Sequence, residues 1–85
     1  MNYNNEINLL ADRMQRIKMQ IKYIEDKINL NKSIISKFEE LPSNIKKGID
    51  ENMNGKSFKS IYYRDINIYS NQLNTLYKSL KELEK

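Results

Sequence analysis

The sequence contains no cysteine and no histidine. Without cysteine there is no disulfide and no thiolate metal site. Without histidine the commonest general base and the commonest imidazole ligand are missing. Asp, Glu, Lys, Tyr and Ser are what remains for chemistry. Tryptophan is also absent, and only one proline and two glycines interrupt the 85 residues. So few breakers leave room for long helices. No apolar run approaches the ~20 residues that span a bilayer. The opening "MNYNNEINLL" lacks the basic n-region and apolar h-region of a secretory signal peptide.

Charge is plentiful but spread. Fifteen Lys and Arg face eleven Asp and Glu, for a net charge of +4. Only Arg13, Arg16 and Arg64 are arginines. Residues 1–42 carry seven bases and six acids, and residues 43–85 carry eight and five. A nucleic-acid binder concentrates its bases into an arginine-bearing stripe; this pattern reads as a solvated mixed-charge surface. Asn, Ile and Lys each occur 12 times. All three have A/T-rich codons, so the bias reflects an AT-rich bacterial or phage genome and not chemistry.

Apolar spacing is helical throughout. With Ile7 at heptad position a, that position recurs at Met14, Ile21, Ile28 and Ile35. Position d falls on Tyr3, Leu10, Ile17, Ile24, Asn31 and Phe38. Asn31 alone breaks the apolar rule over more than five heptads, which is a coiled-coil seam. Either it fixes register from a buried position or the helix is locally exposed there. A second seam runs through Tyr62, Ile66, Tyr69, Leu73, Leu76, Leu80 and Leu83. The tyrosines and methionines on these stripes read as packing residues.

Two stretches can reverse the chain. One is "ELPSN", residues 40–44, where Pro42 removes a donor and Ser43 or Asn44 can cap a new helix. The other is "MNGKSF", residues 53–58, where Asn54-Gly55 is a strong breaker pair and Ser57 can cap the returning helix. Carried past Phe38 without adjustment, the heptad places Pro42 and Ile49 at a, and Ile45 and Asn52 at d. The preserved phase favours a kink at Pro42 and a reversal at Asn54-Gly55; Gly48 weakens that leg.

The expected fold is thus all-α: one domain over residues 1–85, an antiparallel two-helix hairpin with coiled-coil packing. Helix one spans about residues 3–53, kinked near Pro42, the turn residues 54–57, and helix two about residues 58–84. At 1.5 Å per residue the legs measure roughly 75 and 40 Å. Residues 3–25 then project without a partner. Tyr3, Ile7, Leu10, Met14, Ile17, Ile21 and Ile24 become the expected interface with another chain, because a bare stripe of that length invites aggregation. The occupant is a helical protein, either in a hetero-complex or in a homodimer.

Gly55-Lys56-Ser57 is also the tail of a phosphate-binding loop. A P-loop requires the earlier glycine at position 50, which is Asp50, and a preceding strand. Spacing and context both fail, and Asp50 and Glu51 repel phosphate. Adjacent acidic pairs, Asp50-Glu51 and Glu39-Glu40, diverge on a helix and do not converge on an ion. No catalytic, cofactor or metal residue is assigned.

"ENMNGKSFKSI" resembles the interhelical turn of the WXG superfamily, small helical hairpins handled by type VII secretion systems. Met53-Asn54-Gly55 lies where that family has Trp-any-Gly, and Phe58 where a later aromatic residue comes. The run from Ile24 to Phe58 is similar to the long lysine-rich first helix of small partners of LXG-type toxins. The resemblance implies a non-enzymatic partner that binds a toxin's helical region and helps present it for export. It also implies cytoplasmic synthesis and secretion without a cleavable signal, as part of a complex. Met53 replaces the family's Trp. The export signal, Tyr with an acid four residues on, is missing: Lys81 follows Tyr77 and Leu73 follows Tyr69 at that spacing. Either a partner carries the signal or the likeness lies in hairpin geometry.

"YSNQLNTL", residues 69–76, is similar to the second helix of sporulation aspartyl-phosphate phosphatases. Ser70 matches, but Asn74 stands where their Asp supplies a carboxylate. The alternative function is accordingly a small regulatory or phage-encoded coiled-coil protein that modulates a host protein. A third reading, nucleic-acid binding through Lys46, Lys47, Lys56, Lys59 and Arg64, is diluted by Asp50, Glu51 and Asp65 among them and lacks paired arginines.

Overall fold

A computed structural model describes residues 3–84 of the chain. Helices α1 (Tyr3–Glu39), α2 (Ser43–Glu51) and α3 (Phe58–Leu83) occur in that order. Among the described residues there is no strand. α1 and α3 pack along each other as a hairpin, in a shape measuring 68 × 19 × 17 Å. Its radius of gyration, 19.4 Å, compares with about 12 Å for a compact chain of this length.

The α1 stripe folds as its heptads dictate. Ile21, Ile24, Ile28, Ile35 and Phe38 are buried, each contributing about 2 kcal/mol from burial of apolar surface. All five come from positions a and d. The α3 seam residues, Tyr62 through Leu83, are half-buried. A helix with a single neighbour leaves one side of each seam residue open. Asn31 is half-buried too, so the polar break in the seam keeps access to water.

The first helix does not continue to residue 53. It ends at Glu39, where the amides of Glu40 and Leu41 bond three residues back, to Lys37 and Phe38, at 3.3 and 3.0 Å. Pro42 then adopts φ −58° and ψ 149°, an extended conformation. A kinked but continuous helix would hold this residue in the helical region, so the proline interrupts the helix outright. Heptad phase survives across it only because α2 is amphipathic in its own right. Nor do Ser43 and Asn44 cap α2: Pro42 occupies the N-cap, its carbonyl accepting from Ile45 and Lys46 at 3.0 Å each.

The second breaker behaves as its sequence implies. Asn54 and Gly55 have φ of 53° and 83°, and the Lys56 amide donates to the Met53 carbonyl at 3.1 Å. Two consecutive positive φ values inside an i to i+3 bond mark a type I′ turn, which Asn-Gly favours above other pairs. Ser57 caps α3, its Oγ accepting from the Ser60 amide at 3.1 Å. Asp50 Oδ1 takes a further free amide, that of Phe58, at 2.8 Å.

The reversal therefore occupies the whole stretch between Phe38 and Phe58, whose rings stack with centroids 4.6 Å apart. Tyr62 adds a third ring, 4.9 Å from Phe58. Phe38→Ala is expected to lower the unfolding free energy by about 3 kcal/mol, and Gly55→Ala by about 1 kcal/mol for a side chain forced into left-handed backbone. Denaturant titration monitored by circular dichroism measures both; equal effects would mean that the ring stack is not a major support.

Candidate partner interface

α1 has 37 residues and α3 has 26. Since their ends are matched at Phe38 and Phe58, α1 outruns α3 by about three turns at the opposite end. This overhang is shorter than the 23-residue projection anticipated from the sequence, because the chain leaves α1 at Glu39. The expected interface residues divide accordingly. Ile21 and Ile24 are buried inside the hairpin and are not bare. Met14 and Ile17 are half-buried at the end of α3. Ile7 and Leu10 are 61% and 42% exposed, and Leu9 beside them is 69% exposed. The side chain of Tyr3 lies outside the described residues. The overhang thus carries an apolar seam with no helix of this chain upon it.

A second apolar surface lies on the flank of the hairpin. Met19, Gln20, Tyr23 and Ile24 of α1 and Tyr69, Gln72, Thr75 and Leu76 of α3 line a groove of about 580 Å³. None of these side chains is charged. Met19 and Tyr23 are 63% and 61% exposed, and Lys27 Nζ sits 5.3 Å from the Tyr23 ring centroid. The heptad reading missed this surface because Tyr23 falls at position c and Met19 at position f, outside the a/d seam. The spacing of Met19 and Tyr23, four residues apart on one face, was the available signal.

The turn motif residues do not form a site. Met53 is half-buried, Asn54 and Gly55 shape the turn, and Phe58 belongs to the aromatic stack. The Asp50 carboxylate occupies the amide that a phosphate would need at the start of α3. Two of the lysines at the tip share one carboxylate. Glu39, at the end of α1, forms an ion pair with Lys59 of α3 and lies 3.9 Å from Lys46 of α2. The hydrogen bond from Lys59 holds the Glu39 carboxyl below its ordinary range and raises the Lys59 ammonium in return. Further along the shaft, the Tyr77 hydroxyl donates to Glu25 Oε2 at 3.4 Å. Partial burial, then the Glu25 charge, raises the Tyr77 phenol. Ser70 is half-buried and Asn74 exposed, and no acid replaces the missing carboxylate between them. Among the described residues no three acidic side chains converge to hold a metal ion, and no helix is long and apolar enough to cross a membrane.

Compared with known proteins, the chain matches no family model, no curated protein and no solved structure. Its surfaces are left to speak for its function.

The Glu39–Lys59 pair gives a pH signature. A carboxylate depressed on folding stabilises above its unfolded pKa and loses that contribution as pH falls through the folded value. Acid titration of unfolding should show a loss of stability beginning in the carboxylate range that Glu39→Gln diminishes. An unchanged acid limb in that variant would show that the pair does not help to hold the tip, as many exposed pairs do not.

Proposed function

We propose that this chain is a non-enzymatic helical partner protein, which binds another helical chain along the seam that α1 extends beyond α3. One observation carries the reading: Ile7 and Leu10 continue the a/d stripe that buries Ile21 and Ile24 further along, yet they stand exposed where the returning helix has run out. A stripe that packs against a helix over most of its length fits a helix over the rest, and an amphipathic segment laid there extends the hairpin into a bundle. The absence of histidine and cysteine, and the sharing of Glu39 by Lys46 and Lys59 at the tip, support an interaction role over catalysis or nucleic-acid binding.

The finer reading rests on the resemblance of "ENMNGKSFKSI" to the WXG-superfamily turn. The partner is then the helical region of an LXG-type toxin or a related hairpin, and the complex is what a type VII system exports. The type I′ geometry at Asn54-Gly55 and the aromatic Phe58 at the head of α3 are compatible with that turn.

The test is an Ile7→Asp, Leu10→Asp double variant. Both side chains lie beyond the reach of α3, so thermal unfolding of the isolated chain should change little. Co-purification of a native helical partner should fall at least tenfold, since each introduced charge would have to be buried. Retention of the partner by the double variant would place the interface elsewhere; identification of that partner by mass spectrometry decides between a secretion toxin and other helical chains.

A further inference from the structure

The short helix at the tip is held differently from the two long ones. We propose that α2 is a latch, which opens and closes as a unit while α1 and α3 stay paired.

As a helix, α2 is weak in its own right. It has nine residues and no buried side chain, and helices of that length do not persist unaided in water. No side chain caps its first turn, and Gly48 stands in its interior. Its charges also run against the helix dipole. Lys46 and Lys47 lie toward its N-terminus and Asp50 and Glu51 in its last turn, the reverse of the order that the dipole favours.

Its attachment is polar. α1 and α3 pack along each other, and α2 runs along neither. Two side chains fasten it. Lys46 Nζ donates to the Glu39 carbonyl at 3.5 Å and lies 3.9 Å from the Glu39 carboxylate. Asp50 Oδ1 accepts from the Phe58 amide at 2.8 Å. One contact ties α2 to the end of α1 and the other to the start of α3. Two of the charges that oppose the dipole are therefore the ones that fasten the helix. Water reaches both contacts, so each breaks and reforms with little net change in free energy.

A joint lies on either side. Pro42, in extended conformation, precedes α2, and Asn54-Gly55, with positive φ at both residues, follows it. Neither joint lies inside a helix, so α2 can unwind or swing without bending α1 or α3. The hairpin keeps its own fastenings when that happens. Ser57 Oγ still accepts from the Ser60 amide when Asp50 lets go of Phe58, and the stack of Phe38 on Phe58 involves no residue of α2. Ile45, Ile49 and Met53 stand four residues apart on one stripe. Ile45 is exposed and the other two are half-buried, so opening bares the rest of that stripe. The tip then has two forms, at the end of the molecule opposite the overhang.

Native-state hydrogen exchange of the full chain, across low denaturant concentrations, reads the opening directly. The amides of Ile49 to Asn52 are expected to exchange about a hundredfold faster than those of residues 24–35 in α1. Their rates should depend little on denaturant, because a local opening exposes little surface. Ile28→Val should speed exchange in α1 about fivefold and leave α2 unchanged, since the shaft is intact in the open form. Gly48→Ala, whose added methyl meets no atom within 4 Å, should slow exchange in α2 about fivefold. Amides of α2 with the protection and denaturant dependence of α1 overturn the proposal. So does Ile28→Val accelerating both helices alike, or Gly48→Ala leaving α2 unchanged. Amides of α2 with no protection at all would make it an unfolded strap, which overturns the latch as well.

Discussion

The stack of Phe38 on Phe58 is the contact on which the rest of the hairpin depends. It joins the last turn of the outgoing helix to the first turn of the returning one, and it is the most buried point of the seam: Phe38 is only 4% exposed. Every feature of the connector supports it. Pro42 stops α1 one turn after Phe38, the Asn54-Gly55 turn reverses the backbone leaving α2, and Ser57 and Asp50 satisfy the amides that open α3 just at Phe58. Glu39 then ties α1 to Lys59 and reaches toward Lys46 at the rim of the rings. Apolar contact provides most of the energy here; the ions and caps fix where it is made.

From that fixed end, helix length decides what is left open. α3 runs out near Met14 and Ile17, which are half-covered, and the next seam residues are bare. The same geometry leaves the flanks of the hairpin open along its length, because two helices offer each other only one face. An elongated two-helix unit of this size has a small interior. Among the described residues five side chains are buried, and all are on α1. The seam that α1 extends beyond α3 is where that geometry leaves apolar side chains bare.

The architecture was legible in the sequence to the extent that local rules govern it. The two seams, the all-helical class and the Asn54-Gly55 turn come from heptad spacing and from the left-handed preference of that pair, and each is decided within a few residues. The end of α1 was not legible. Phase continued through Pro42 because Ile45 and Ile49 give α2 an apolar face of its own, and nothing local distinguishes a bent helix from two short ones with the same phase. What distinguishes them is tertiary: Phe38 and Phe58 meet only if the chain breaks between them. That single difference moved Ile21 and Ile24 from the expected interface into the core. The flank groove was hidden for another reason, since Met19 and Tyr23 sit at positions a coiled-coil pattern treats as solvent.

The distribution of anchoring contacts has a mechanical consequence. Along the shaft the seams are rich in aliphatic side chains, Ile21, Ile24, Ile28 and Ile35 on α1 and Ile66, Leu73, Leu76 and Leu80 on α3. Shifted by one heptad, such a row meets itself again at little cost. The knot of rings, caps and turn at the closed end is what selects one alignment, and the tether of Tyr77 to Glu25 is a weak second mark. The hairpin behaves like a zip fastened at its base: sever the connector, and the two rods lose the reference that tells one notch from the next.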